Sequence, residues 1–505
     1  MSPRRSSRWI EVLALLLVVA ASALLNFSNL DFPLGYHADE PGKVAFVAEG
    51  RQNFYHPILL LQLARLGCAL VGAVNAADIA LVGRVVSALS GVALVLVIFV
   101  LARRQLSPLA AVAPAAVIGL SPIVTVHAHY FKEDMLLTLG VALALLAGVR
   151  AEARPTPGRL VGLGVALGLA MSSKYVGALL APLLLTRAAL AVRRGGGPPL
   201  AAAGLSLGLS VAVFSLVNYP MFFAPGTFRA GLGFELHHVA TGHGSLVISP
   251  LEWGFAFHLL YSLLPGLTLP VALLALAALV AHLLGWRQVS SDDRLWVLTA
   301  LLFYFSAELS PTKPPPDFMR YMLPVVPSLA LLAVGGVARA VRAQRGLGWL
   351  GGLALAGAVG WSAVTSVRLV AGMSQDTRAV AARWLDEKGE LWKGERFTPA
   401  AEPMLSVAVV DPEAERRAGT RYLVASSFMY ETLSLVCNPG PCSEQPRLYY
   451  EGYRRLFRYP YVEIRPAYRS FAFSNPVIRI VDLRGRPAPL SPARRRGPPV
   501  SSSGG

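Results

Sequence analysis

The amino-acid sequence predicts an all-α polytopic membrane bundle of about eleven transmembrane helices, followed by a small extracytoplasmic α/β domain. Three observations carry this reading. The 505-residue chain is 54% hydrophobic and only 15% charged, too apolar and too charge-poor for a soluble chain of that length. Apolar runs of roughly the length needed to span a ~30 Å hydrocarbon core recur from Trp9 to about residue 370. Basic clusters fall on alternate sides of successive runs.

The runs follow one another in order. A basic head, Arg4, Arg5 and Arg8, precedes the apolar stretch Trp9 to Phe27, which reads as an uncleaved spanning helix because it is long enough to cross and Ala21-Ser22-Ala23 is a weak cleavage site. Further runs cover 79 to 101, 108 to 126, 134 to 149, 160 to 172, 175 to 192, 200 to 217, 255 to 285, 293 to 308, 321 to 341 and 347 to 370. The two runs flanking Ser172-Ser173-Lys174-Tyr175 are short and are expected to be partly enclosed by protein.

With the N-terminus cytoplasmic, the clusters at Arg103 and Arg104, at Arg150, Arg154 and Arg159, at Arg193 and Arg194, at Arg287 and Arg294, and at Arg339, Arg342 and Arg345 all lie inside. The expected organisation is a membrane domain over 1–370 with external loops 28–78, 127–133, 218–254 and 309–320. An extracytoplasmic α/β domain follows over 371–486, then a disordered, Pro- and Ser-rich end over 487–505. Short apolar runs such as LSVAVV, RYLVASSF and PVIRIVDL supply its strands, and AVAARWLDEKG opens it with an amphipathic stretch.

Several function classes drop out. The formal charge of +17 sits in clusters between apolar runs, which is the pattern of membrane anchoring, so no nucleic-acid partner is expected. No Walker loop, HExxH or GxSxG occurs, and GLGVALG at 162 to 168 lacks the preceding strand of a dinucleotide site and reads as small residues for close helix packing. Cys437 and Cys442 in CNPGPC are near enough for a disulfide or for two free thiols in a turn.

Chemistry is expected on the external face. Asp39 and Glu40 stand between His37 and Lys43 in the first loop. A carboxylate there can act as a general base, hold a divalent cation, or, since Pro41 follows, simply cap a helix; taken alone, the cap comes first. His127, His129, Lys132, Glu133 and Asp134 crowd the second external turn, where ionisable groups at a membrane boundary are costly unless paired or functional. Lys174, in the break between two short runs, and Arg320, opening RYMLPVVPSLALLA, are anchors at an interface or, with the carboxylates, part of a site for an anionic group such as phosphate. His237, His238 and His243 in HHVATGHG read as loop histidines rather than a metal cluster.

The stretches HADEPGKV, FYHPILLLQLARL, HYFKEDMLLT, SSKYVGALLAP and RYMLPVVPSLALLA, in that order, resemble the GT-C fold membrane glycosyltransferases of the protein O-mannosyltransferase-like group. ATGHGSLVISPLEWGFAFHLLYSLLPGLTLP and SQDTRAVAARWLDEKG are similar to segments of bacterial members, so the resemblance covers about residues 9 to 480 and implies a bacterial inner-membrane protein. It implies sugar transfer from a polyprenyl-phosphate-linked donor to a protein, lipid or glycan acceptor. The family's acidic motif falls on Asp39 and Glu40, with Asp39 as base, and its second carboxylate on Asp134. Lys174 and Arg320, with Lys132 and His129 beside them, would face the lipid phosphate; many members carry Arg where this chain has His129.

The chemistry agrees from below. A sugar phosphate leaves as an anion, so transfer needs a base for the acceptor hydroxyl and cations for the developing charge, but no strong acid, and a single displacement inverts the anomeric carbon. The rival class, a transporter or flippase of a lipid-linked or anionic solute, would place functional charges near mid-membrane and show repeat symmetry between halves; neither is visible here.

Overall fold

The computed structural model describes residues 3–242, 248–249, 251–311, 317–343, 348–388, 411–437, 442–472 and 474–488. Helix α1 (Pro3–Phe27) leads into the first loop, which holds two further helices, α2 (Glu40–Ala48) and α3 (Leu59–Val71). α3 is apolar but too short to cross a bilayer; it buries Leu60, Leu61 and Ala64 and leaves Leu66, Leu70 and Val71 exposed, as a helix lying at the interface would.

α4 (Ala76–Ala102) starts where Asn75 accepts a hydrogen bond from the Asp78 amide at 2.9 Å. The run expected over 108 to 126 is broken into α5 (Val112–Gly119) and α6 (Pro122–Ala128), because Ser121 precedes a proline and Pro122 cannot donate to a helix entering it. α7 (Glu133–Ala153), α8 (Pro157–Ser173), α9 (Leu180–Arg194) and α10 (Pro199–Val217) follow, the chain being extended at Lys174 before a 3₁₀ turn over Tyr175–Leu179. The glycines at 164 and 168 are where α10 packs: a Cβ at Gly164 would lie 2.6 Å from the Ser206 carbonyl oxygen, and one at Gly168 2.6 Å from Val213. Close packing, not phosphate binding, is what GLGVALG does.

α11 (Pro225–Thr241) lies outside the long helices. A π turn over Leu259–Leu263, α12 (Leu264–Leu267) and α13 (Leu269–Leu284) form a pair bent by 115° at Thr268, whose hydroxyl meets that of Ser362 at 2.9 Å. α14 (Ser291–Glu308), a 3₁₀ segment (Asp317–Val325), α15 (Val326–Ala343) and α16 (Gly348–Met373) complete the bundle.

Among the described residues seven helices are long and apolar enough to cross a membrane, or eight if the bent pair is one span. The other three expected passes differ for local reasons. One is the pair broken at Pro122, α8 has only 17 residues, and α14 carries Asp292, Asp293 and Arg294 in its first turn. All three are nevertheless packed into the bundle, α8 between α7 and α10 and α14 against α15. Arginines and acids meet at one end of it: Arg103 with Glu11 at 3.0 Å, Arg104 with Asp292 at 2.9 Å and Arg339 with Asp293 at 3.0 Å.

The tail opens with α17 (Thr377–Lys388) and continues through α18 (Pro412–Arg417), β1 (Tyr422–Ser426), α19 (Ser427–Cys437), α20 (Glu444–Leu456), β2 (Tyr461–Ile464) and β3 (Ile478–Asp482). The strands form an antiparallel sheet in the order β1-β3-β2, with Tyr422 opposite Asp482 and Tyr461 opposite Val481. Side chains alternate faces along a strand, so Tyr422 and Val424 pack on Ala381 and Leu385 of α17, while Leu423 and Ala425 pack on Leu433 of α19 and on Tyr453 and Leu456 of α20. RYLVASSF and PVIRIVDL thus supply β1 and β3, β2 comes from YVEI, and LSVAVV lies outside the described residues. Cys437 and Cys442 are joined in a disulfide.

The tail is fastened to the bundle by buried polar groups. Arg378 forms a two-pronged ion pair with Asp376 at 2.8 Å for each bond, donates to the Tyr36 carbonyl at 3.0 Å and stacks on the Tyr36 ring. Asp376 accepts in turn from the Asn475 amide at 2.9 Å.

Candidate active site

Opposite the arginine-rich end, α2, the turn before α7, the break after α8 and the 3₁₀ segment before α15 bring seven charged side chains together. Asp39 occupies the N-cap position of α2 with Pro41 following, as a capping residue would. Its backbone is already helical (φ −81°, ψ −16°) and its carboxylate makes no cap hydrogen bond. That carboxylate pairs instead with the Lys132 ammonium, and the Arg320 guanidinium lies 3.8 Å away.

Glu40 turns the other way. Both its oxygens are held by Arg84, at 2.9 and 2.5 Å, and one also accepts the Phe131 amide at 2.9 Å. Arg84 further donates to the carbonyls of Leu30 and Phe32 at 2.8 and 2.7 Å. The pair is fully enclosed and ties the first loop to α4 and to the turn that carries Lys132. Arg84 was not among the residues expected here, although the signal was present: it is the lone charge inside ALVGRVVSALSG, an apolar pass where an arginine must find a partner.

A buried arginine–carboxylate pair adds little net stability as a whole, but removing one partner strands a charge in low dielectric. Arg84→Ala should therefore lower the stability of the detergent-solubilised protein by ~3–5 kcal/mol, read as a drop in thermal unfolding temperature, and adding Glu40→Gln should recover part of it. A melting curve that matches the parent would rule out this role.

The remaining groups interlock. Lys43 of α2 pairs with Glu133, which Lys132 also approaches at 3.9 Å. Lys174, aimed inward by the extended backbone at its position, donates to Asp134 at 3.0 Å, and the Arg320 Nε lies 3.4 Å from the other Asp134 oxygen. Both cations are buried, whereas a cation that anchors a helix at an interface keeps its charged end in water. Lys43, Lys132, Lys174 and Arg320 thus face Asp39, Glu133 and Asp134, one positive charge in excess, which suits an anion.

The side chain of Asp39 is 39% exposed, against 3% for both Glu133 and Asp134. Burial opposes its ionisation, but Lys132 and Arg320 outweigh burial and hold the carboxyl well below the usual range. The neighbouring His37 is kept neutral chiefly by burial.

His129 is not brought to this cluster. Its ring is one turn along from Thr125 and lies between two backbone carbonyls, Thr125 at 2.7 Å and Ser28 at 2.9 Å, so it packs the turn against the end of α1. Asp39 and Glu40 point to different partners, and among the described residues no group of three or more His, Cys, Asp or Glu side chains is set to hold a metal. His243 lies outside the described residues.

A cavity of about 340 Å³ adjoins the cluster. Asp134, Lys174, Arg320, Tyr321 and Glu235 give it a charged and polar lining, and Leu179, Leu236, Val239 and Phe303 give it an apolar wall. The Lys174 ammonium sits 4.9 Å over the Tyr321 ring. The space can hold a charged head and an apolar chain at once.

Residues 55–218, which include Lys132, Glu133, Asp134 and Lys174, match the family described as dolichyl-phosphate-mannose-protein mannosyltransferase. Among solved structures, ArnT from Cupriavidus metallidurans bound to undecaprenyl phosphate is 22% identical, over 74% of this chain and 72% of that one, with a TM-score of 0.52. The archaeal oligosaccharyltransferase AglB from Archaeoglobus fulgidus, in complex with an inhibitory peptide and a dolichol-phosphate, is 12% identical over 92% of this chain and 80% of that one, with a TM-score of 0.50. No curated protein matches the chain in sequence.

Proposed function

We propose that this chain, which has the GT-C fold of membrane glycosyltransferases and matches the protein mannosyltransferase family over residues 55–218, transfers a sugar from a polyprenyl-phosphate donor to an acceptor hydroxyl, with Asp39 as the base. The observation that carries this reading is the exposure of Asp39: among carboxylates otherwise sealed into ion pairs, its side chain alone in the cluster is open enough to receive a proton from a substrate.

The acceptor hydroxyl gives its proton to an Asp39 oxygen as its own oxygen attacks the anomeric carbon. The bond from that carbon to the phosphate oxygen breaks, and its electron pair leaves with the lipid phosphate. The phosphate passes from one negative charge to two, and Lys174, hydrogen-bonded to Asp134, and Arg320 beside it are placed to stabilise that increase. Lys132 sits between the two ends. A bound phosphate draws Lys132 and Arg320 away from Asp39, which makes the carboxylate a stronger base when the donor is present. Attack opposite the leaving phosphate inverts the anomeric carbon. Glu40 then serves to position Asp39 through Arg84.

A transport pathway would string its charges through the bundle. Here Asp134 is in the first turn of α7, Lys174 directly follows α8 and Arg320 precedes α15, so the charges gather at one end, which supports transfer chemistry at a membrane surface. The acceptor belongs to a protein, a lipid or a glycan. Binding tests the donor: purified protein should bind undecaprenyl phosphate and fail to bind nucleotide sugars, and the reverse preference would end this reading.

On the same proposal the site and the tail lie outside a bacterial cell membrane, with the arginine-rich end in the cytoplasm. The disulfide between Cys437 and Cys442 suits an oxidising side, and the arginines satisfy the positive-inside rule. Cysteines introduced at the exposed positions Gly50 and Gln445 should react with an impermeant thiol reagent in intact cells, while one at Gly196 should react only after lysis. Protection of Gly50 or Gln445 would invert the topology.

A further inference from the structure

A second polar pair borders the cation cavity and has no part in the chemistry above. His56, from the segment before α3, turns its ring toward Glu235 of α11, and Glu235 lines the same cavity as Lys174 and Arg320. The two are apart: the His56 Nδ1 lies 3.9 Å from the nearest Glu235 oxygen, beyond hydrogen-bond reach, and among the described residues this buried nitrogen has no hydrogen-bond partner.

The placement is built, not incidental. Gly231 lets α11 lie directly on the 53–54 backbone, where a Cβ would come within 2.2 Å of the Asn53 carbonyl oxygen. Phe54 is held at a left-handed φ of 56°, a conformation a bulky residue adopts only when its surroundings impose it. Its carbonyl accepts the Tyr175 hydroxyl at 2.9 Å, and the Ile58 amide donates to Asn218 at 2.9 Å, so the backbone is tied on both sides of His56. Phe228 of α11 meets Phe54 edge to face, and Phe234 stacks on Tyr55. Burial keeps His56 neutral, with its pKa pushed down to about 3, and raises that of Glu235.

An unpartnered buried nitrogen facing a carboxyl across a gap is a site for one small group that both accepts and donates. A hydroxyl meets that description, since it can donate to one and accept from the other. On the reading that Lys174 and Arg320 hold the donor phosphate, the group nearest this pair is the sugar esterified to it. We propose that His56 and Glu235 form a subsite that reads a hydroxyl of the transferred sugar and so selects the donor.

The test compares binding of undecaprenyl phosphate with binding of undecaprenyl phosphate carrying each of a panel of hexoses, pentoses and monodeoxy hexoses. The detergent-solubilised full chain and its Glu235→Ala, Glu235→Gln and His56→Ala variants are used. The parent should prefer one sugar-bearing lipid over undecaprenyl phosphate by tenfold or more, and should lose that preference for one monodeoxy analogue. The Ala variants should bind undecaprenyl phosphate within twofold of the parent yet discriminate the sugars less than twofold, with Glu235→Gln intermediate because it retains an acceptor oxygen. Unchanged discrimination in the Ala variants overturns the subsite, as does a parent with no preference among the lipids. Equal loss of undecaprenyl phosphate binding overturns it too, by assigning the pair to the phosphate or to the fold. A parent that binds no lipid phosphate instead sinks the donor assignment on which the subsite rests.

Discussion

Asp39→Asn should reduce sugar transfer by ~10²–10⁴-fold while leaving the protein folded. Asn keeps the shape and one oxygen for Lys132 but cannot take a proton from a hydroxyl. Because the side chain is partly exposed and makes no cap hydrogen bond, the change should move the unfolding temperature little. The pH dependence follows from the depressed carboxyl. A lowered folded pKa means that Asp39 is ionised, and contributes its stabilising ion pair, above the unfolded value near ~3.9, losing it only as pH falls through the folded value. Transfer at limiting donor should therefore show no acid limb from Asp39 above about pH 4. At saturating donor the limb should move up, because phosphate then occupies the cations that hold Asp39 down. Near-parental turnover in Asp39→Asn would leave the residue no catalytic part.

Arg320→Ala should raise the donor concentration needed for half-maximal transfer by roughly 30- to 150-fold, the equivalent of ~2–3 kcal/mol for a charge-assisted contact in a buried site. Arg320 lies close to both Asp39 and Asp134, so its loss leaves Lys174 as the cation paired with Asp134. Arg320→Lys should fall between, since the charge remains and the planar fork does not. Lys174→Ala should show a second effect: its ammonium is buried against Asp134, so donor binding and thermal stability should drop together. Titration of the donor with acceptor saturating separates these cases. If both Ala variants keep the parental donor dependence, the phosphate is held elsewhere, with Lys132 the next group to test.

The bundle was legible because hydrophobic runs and basic clusters are properties of composition along the chain, and α1, α4, α7 and α10 lie where those runs do. Breaks were less legible. Pro122 splits one run, and Thr268 bends another by 115°, because a proline or a single backbone conformation acts locally while an apolar average does not register it. In the candidate site, Asp39, Lys132, Asp134, Lys174 and Arg320 stood out in the sequence as charges at a membrane boundary, and the family resemblance is what set them apart from caps and anchors. What sequence order could not supply was the pairing. Asp39 and Glu40 are adjacent, yet one faces Lys132 and the other is sealed by Arg84, and only the rotation of α2 decides which. Glu235 and His56 meet only because α11 lies on the first loop, a contact between segments far apart in the chain.

The most direct measurement is release of polyprenyl phosphate from polyprenyl-phosphate sugars by the purified protein in nanodiscs, with cell membranes as the source of acceptor, for the parent and Asp39→Asn side by side. The proposed mechanism requires one polyprenyl phosphate released per sugar transferred by the parent and at least a hundredfold slower release by the variant. Equal release by the two proteins, or transfer from a nucleotide sugar with none from any lipid-linked donor, would contradict it.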